Sequence, residues 1–425
     1  MRVRCSGLTS RSLSRPILFA RQGCHQKLCC PSLNSQRRSF QSDGSSEKVP
    51  DFAFAFDIDG VLVRSSKPIP HASSTLKFLQ RNRIPFMLLT NGGGKHESER
   101  VKDLSSTLSV PLETSNFIQS HTPFAELIHG EDSLRHKCIM VVGGEYGRCR
   151  DVAEMYGFTN VVTPGDIYTA HPEIWPFSKP FQRDYYASFA RPLPKPIHPT
   201  SPEDSLKIEA VFVYNDPRDW GLDMQVILDV MLSREGIMGT FSSKNGDLSL
   251  PNSGFLQDGQ PTLYFSNPDL LWAADYHLSR LGQGGFREAL EGLWRAVTYN
   301  KNHHKPPKLY KRVIGKPYRT TYSFAEKQLM RHRDSLLGKH HPTKLKRVYM
   351  VGDNPESDIR GANTYESADG INWVSLLTRT GVYKDQDGHR PTWEPAAIVD
   401  DVRAAVQWAL RDSNWHQSLE ESKDA

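Results

Sequence analysis

Asp57 and Asp59 are the residues of this 425-residue chain best placed to do chemistry. They lie two apart in DFAFAFDIDGVL (51–62), directly after the apolar run Phe52 to Phe56. In an extended segment, side chains two apart share a side. Two carboxylates so close repel each other, and ionising both costs free energy unless a cation or a shared proton intervenes. Mg²⁺ suits such hard oxygen ligands, and a carboxylate held beside it can attack phosphorus to give an acyl phosphate. The plain alternative is a strand end followed by an Asp-Gly turn. Gly60 permits the sharp exit in either case.

The elements that must position these acids are legible around them. Phe52 to Phe56 reads as a strand buried on both faces of a parallel sheet, and ligands bind beyond the carboxyl ends of such strands. Pro70 opens a helix with Leu76 and Leu79 facing inward, and Ile84 to Leu89 forms a second strand. That strand ends in Thr90, Asn91 and three glycines starting at Gly92. A Thr or Asn side chain with glycine amides makes a neutral phosphate cradle, although such turns are commonplace. A helix from Glu97 to Leu108 restores the βα rhythm. Far downstream, VYMVGDNPESD (348–358) reads as a strand delivering Asp353 and Asp358.

Between these blocks lies a second α/β unit, with strands at 139–143, 161–162 and 210–214 and a helical pattern from Met224 to Leu232. Two of its strand-to-turn junctions, one with Asp216 and one with Asn267 and Asp269, could line a pocket facing the first unit. Nine prolines between 164 and 202 mark that stretch as an irregular insertion rather than core. Lys316, in VIGKPY, sits where a compact cation could neutralise developing negative charge. Taken alone it reads as a surface lysine.

Residues 1–42 hold eight Lys or Arg and no acid, resembling a mitochondrial transit peptide with RRSF (37–40) as the processing site. The whole chain carries +5, so the part after this +8 leader is about −3, and a nucleic-acid partner is not expected from charge. Only Cys138 and Cys149 remain beyond the leader, too few for a disulfide framework or a paired zinc site. No apolar run is long enough to span a membrane. From Lys301 to Arg347 there are 14 Lys or Arg, two acids and five histidines. If Lys301, Lys305, Lys308, Lys311, Arg312, Arg331, Arg333, Lys344, Lys346 and Arg347 form one face, it would attract an anionic mitochondrial membrane peripherally; otherwise it is a solvated face.

DIDGV (57–61), TNG (90–92), GKP (315–317) and GDNPESD (352–358) resemble, in order, the four motifs of the haloacid dehalogenase superfamily. The insertion between the second and third resembles a class IIA cap. SNPDLLW (266–272) and YNDPRDWGLD (214–223), with the leader, resemble the mitochondrial cat eye syndrome critical region 5-like branch. The resemblance implies an α/β fold, a Rossmann-like parallel-sheet core with a large inserted α/β cap. It divides the chain into a leader and linker (1–48), core (49–133), cap (134–312) and core again (313–425).

It also implies roles. Asp57 would be the nucleophile and Asp59 the general acid and base, with Lys316 offsetting charge. Mg²⁺ would be held by Asp57, the backbone carbonyl of Asp59, and Asp353, with Asp358 supporting its water shell. Thr90, Asn91 and Gly92 would bind the phosphoryl group, Asn91 orienting it, while Asp216, Asn267 and Asp269 face the substrate. The activity implied is a matrix phosphatase of a small phosphorylated metabolite. A hydrolase of a phosphorylated glycerophospholipid headgroup and a non-enzymatic matrix binding protein are the alternatives.

Overall fold

The computed structural model describes residues 49–417 and 419, apart from 179–183, 199, 273, 275, 277, 302–304, 339–342 and 386–389. Residues 1–48, where the leader and its processing site are expected, and four of the five histidines of the basic stretch therefore lie outside the described residues.

In chain order the core begins with β1 (Phe52–Phe56), α1 (Ala72–Arg81), β2 (Phe86–Leu89), α2 (Glu97–Leu108) and β3 (Phe117–Ile118). The cap follows with β4 (Cys138–Val142), α3 (Arg148–Tyr156), β5 (Asn160–Val162), α4 (Pro164–Ala170), β6 (Ala210–Val213), α5 (Trp220–Leu232) and β7 (Thr262–Phe265). It continues through β8 (Leu271–Trp272), β9 (Arg280–Leu281), α6 (Gln283–Val297) and β10 (Arg312–Val313). The core then resumes with α7 (Arg319–Leu337), β11 (Arg347–Gly352), β12 (Asn372–Thr378), β13 (Ala397–Val399) and α8 (Val402–Asp412). The core sheet runs β13-β12-β11-β1-β2-β3 and the cap sheet β10-β7-β6-β4-β5, and every pairing in both is parallel.

β1 shows why the core forms where it does. Phe52, Phe54 and Phe56 pack on one face with Leu76 and Leu79 of α1 and Val406 of α8. Ala53 and Ala55, on the other face, share a cluster with Tyr322, Ala325 and Leu329 of α7. Large rings on one side and methyls on the other let the long helix α7 lie close to the sheet. Each buried phenylalanine contributes roughly 1.5–3 kcal/mol from area alone.

The proline-rich stretch departs from expectation. Residues 164–170 form α4, and Ile167, Tyr168 and Tyr186 belong to the cap core. The Thr163 hydroxyl accepts the Asp166 N–H while the Asp166 carboxylate accepts the Thr163 N–H, a reciprocal cap that starts the helix. Asp166 also binds the buried Arg150 guanidinium at 2.8 Å and the Arg191 N–H at 2.7 Å, tying the following segment to α3. Prolines interrupt regular structure here without excluding burial.

The basic stretch does not form one face. Arg333 is buried and donates to the Pro50 and Thr343 carbonyls. Lys311 pairs with Glu291, Lys346 with Asp51 and Arg347 with Asp412, while Arg312 lies over the Tyr264 ring. Neighbours in sequence are here split between the β10 edge of the cap sheet and the core around β11. Among the described residues no helix is long and apolar enough to cross a membrane.

Candidate active site

β1 and β11 are hydrogen-bonded neighbours, yet the chain leaves β1 toward β2 on one side and β11 toward β12 on the other. Connections that diverge in this way leave a crevice beyond the carboxyl ends of the two strands, where ligands bind. Phe56 pairs with Val351, and the Asp57 N–H donates to the Val351 carbonyl at 2.9 Å. Asp57 and Asp353 are thereby delivered side by side from opposite ends of the sequence. Gly60, at φ 94°, completes the turn, and a Cβ there would run into the Asp353 carboxylate.

A cavity of about 740 Å³ opens at this point, walled by core and cap together. Asp57, Asp59, Thr90, Asn91, Gly92, Lys316 and Asp353 come from the core side, and Asp216, Asn267 and Asp269 from cap loops. Asp358, also singled out in the sequence, does not line it. It is fully buried behind Lys316, where a π-helical turn over Pro355–Ile359 places it.

Lys316 is not a surface lysine. It is 1% exposed, and its Nζ lies 2.7 Å from both Asp57 Oδ1 and Asp358 Oδ1. Burial opposes its charge, but the Asp358 and Asp57 carboxylates outweigh that and hold its pKa above the ordinary lysine value. Asp358 fixes the local backbone as well, its Oδ2 accepting the N–H groups of Asp353 and Asn354. Burial pushes Asp358 up to about 6 against the pull of Lys316. Asp353 is also raised well above the usual carboxylate range, by burial and then by the charges of Asp57 and Asp358.

Three buried carboxylates thus face a single ammonium. Asp57, Asp353 and Asp358 each offer an oxygen within 4.8 Å of the others. Val382 N–H occupies Asp353 Oδ2 and Lys316 occupies Asp57 Oδ1. Among the described residues no hydrogen bond reaches Asp57 Oδ2 or Asp353 Oδ1. An oxygen-only donor set with excess negative charge fits a hard divalent cation such as Mg²⁺. The Asp59 side chain stands outside this cluster. Burial raises its carboxyl, partly countered by Arg100, 3.8 Å away, and by Lys316.

Asn91 is held by the protein itself. Its Oδ1 accepts the Lys316 N–H at 2.7 Å, and its Nδ2 donates to the Lys316 carbonyl and to Asp269 Oδ2. The side-chain amide therefore fixes the lysine backbone. Thr90 Oγ1 accepts the Gly92 N–H and shapes that loop. Asn267 Oδ1 accepts the Asp269 N–H, so it too shapes its own turn. Burial raises Asp269 to about 7, although Lys316 and Asn91 act against it. Asp216 is raised by burial as well, with Arg218 opposing.

Several lining residues were given no site role by the sequence. Arg100 sits one helical turn after Glu97 on α2, and Tyr276 and Arg280 come from the cap, as do Arg218, Trp220 and Trp272, which lie within the segments YNDPRDWGLD and SNPDLLW. A buried joint was missed too. Glu97 Oε1 accepts from Thr122 Oγ1 and Tyr156 OH, both at 2.5 Å, and His121 meets Tyr156 OH at 2.8 Å and the Gly94 N–H at 3.2 Å. Burial lowers His121 to about 4, so it is neutral and ties the glycine loop to cap helix α3. No local pattern announces this joint, because Tyr156 is 59 residues from Glu97.

The haloacid dehalogenase-like hydrolase family matches residues 54–159, and a HAD-hydrolase-like family matches 313–405. A Schizosaccharomyces pombe cardiolipin synthase (CMP-forming)/mitochondrial hydrolase fusion protein is 40% identical over 376 residues, covering 88% of this chain. The chain spans 56% of that fusion's length. A Saccharomyces cerevisiae mitochondrial hydrolase is 39% identical over 390 residues, covering 88% of this chain and 98% of the relative. The fold is similar to that of a possible sugar phosphatase of the HAD superfamily from Cytophaga hutchinsonii, with a TM-score of 0.51 and 15% identity over 83% of this chain and 95% of that one. With the yeast hydrolase matching 88% of it, this chain belongs, core and cap together, to the haloacid dehalogenase superfamily of hydrolases with a class IIA cap.

Proposed function

We propose that the chain is a mitochondrial, Mg²⁺-dependent phosphatase of a small phosphorylated substrate, working through an aspartyl phosphate on Asp57. The observation that carries this reading is the state of Asp57. One oxygen is fixed by Lys316, while the other has no hydrogen-bond donor among the described residues, and Asp57 lines a cavity shared with the cap.

Asp57 Oδ2 attacks phosphorus as the bond to the leaving oxygen breaks. Asp59, its carboxyl held upward by burial, gives that oxygen a proton. It then takes a proton from the water that cleaves the acyl phosphate, releasing phosphate and restoring Asp57. Lys316 offsets charge on the nucleophile, and the loop of Thr90, Asn91 and Gly92 cradles the phosphoryl oxygens. Mg²⁺, held by Asp57, Asp353 and the Asp59 carbonyl and supported by Asp358, would neutralise the phosphoryl charge. Asp216 and Asp269 present carboxyls to a substrate hydroxyl from the cap, and Asn267 holds the Asp269 turn.

In this reading residues 49–133 and 313–425 form the catalytic core, and 134–312 the substrate-selecting cap. Mitochondrial location, within which the matrix is our reading, is supported by relatives named mitochondrial and by the acid-free leader. Deleting residues 1–40 should leave the protein outside mitochondria, and persistence there would remove the assignment of the leader. The fusion of a relative's hydrolase part to cardiolipin synthase favours a second reading, in which the substrate is a phosphorylated glycerophospholipid headgroup.

The test is a phosphomonoester panel, including p-nitrophenyl phosphate, with and without Mg²⁺. Turnover by the full chain that is lost in Asp57→Asn supports the reading. Equal turnover by both proteins overturns it.

A further inference from the structure

The cap leaves an apolar ribbon bare beside the cavity. β8 and β9 pair antiparallel, Leu271 opposite Leu281 and Trp272 opposite Arg280. Leu270, Leu271, Trp272, Tyr276, Leu278 and Leu281 are 41–58% exposed, all between positions 270 and 281. Single exposed leucines are ordinary, but a contiguous apolar patch marks an interaction site. This one is continuous with the cavity, because Leu271, Trp272 and Leu281 also line it.

The ribbon's chemistry selects its occupant. Trp272 and Tyr276 are aromatic groups with a polar edge, the residue types that settle at the boundary between headgroups and acyl chains. Arg280, whose guanidinium lies 4.5 Å over the Tyr276 ring, sets a cation at that same level, whereas Arg218 at the cavity wall is already paired with Glu145. Exposed leucines and aromatic rings beside the Arg280 cation match an anionic amphiphilic surface. A second copy of the chain fits less well. A stable dimer buries about 800 Å² per partner, and a partner copy seated on Leu271, Trp272 and Leu281 would cover residues that line the cavity.

We infer that this ribbon docks the cap onto the headgroup layer of an anionic bilayer, so that the cavity receives a phosphomonoester carried by a lipid. The inference rests on the phosphatase reading for its substrate but on the ribbon alone for its docking. Leu270 and Leu278 lie outside the cavity lining, which separates the two.

The experiment sediments the full chain with phosphatidylcholine vesicles, with and without phosphatidylglycerol, alongside the double variant Leu270→Ser, Leu278→Ser. The wild type should bind anionic vesicles, and the variant should lose about tenfold in affinity from the two leucines. Both proteins should turn over soluble p-nitrophenyl phosphate alike, while the variant falls behind on phosphatidic acid presented in vesicles. Binding that the variant leaves unchanged, or absent binding with p-nitrophenyl phosphate turnover intact, overturns the docking and leaves the phosphatase reading standing. So does a dimer in solution that the variant dissolves without any vesicle binding. Variant-sensitive vesicle binding by a chain inactive on every phosphomonoester supports the docking and overturns the phosphatase reading instead.

Discussion

At the floor of the cavity Lys316 touches Asp57 and Asp358 at 2.7 Å under full burial, while at its mouth Trp272 and Leu281 stand 45% and 58% exposed. The floor is set by the register of β1 against β11, with atoms fixed before any ligand arrives. The mouth is a ribbon of two residues per strand whose side chains are open to solvent. In the proposed function chemistry is therefore built where the sheet allows no play, and substrate choice where replacement costs the fold least.

Substitutions at the floor should break this contrast most severely. Asp57→Asn should lower kcat on p-nitrophenyl phosphate by ~10⁴-fold or more with the fold retained, as the acting group itself is lost. Asp59→Asn should lose ~10²–10⁴-fold, mostly in kcat, since only the proton transfer is removed. Lys316→Met leaves buried carboxylates without their counter-charge. Urea unfolding in metal-free buffer should show a loss of roughly 3–5 kcal/mol, and added Mg²⁺ should recover part of it. No change in stability would mean that the floor is less tightly charged than the geometry states.

At the mouth the effects should be smaller and of another kind. Arg280→Ala should raise KM about three- to tenfold on an anionic phosphomonoester with kcat nearly unchanged, since it sits far from the bond that breaks. An equal fall in kcat would erase the division between floor and mouth. Asp269 offers the finest test. Its folded pKa of about 7 lies above its unfolded value, so the folded state binds more protons between about pH 4 and 7. Stability of the metal-free protein should therefore fall as pH rises through that window, by less than ~1.4 kcal/mol per unit, and Asp269→Asn should flatten the slope. A slope unaltered by the substitution would place the titrating group elsewhere.

What the sequence disclosed follows the same contrast. β1, the Glu97–Leu108 helix and the strand before Asp353 were legible because each is long enough to show its period, and their polar ends marked the floor. The burial of Lys316 was not, because its partners lie 259 residues before it and 42 after. The ribbon escaped notice because two residues per strand display no alternation. In α4 the Thr163 to Asp166 capping pattern was readable, but the prolines around it drew the stretch toward an irregular reading. The cap joint through His121 and Tyr156 has no local pattern at all.

The bond from Lys316 to Asp57 also has a consequence for how the molecule is made. It closes a loop of 259 residues, and Asp353 adds its carboxylate later still. A loop of that length taken as free chain is entropically costly to close and slow to search. A cap that has already collapsed around its own sheet shortens the effective tether between the two halves of the core. On the ribosome, β1 emerges with an unpaired edge and has no β11 to meet until most of the chain has been synthesised. Nascent chains halted before residue 347 should hold a protease-resistant cap beside a cleavable first segment, and catalytic competence should come all at once with the last strands.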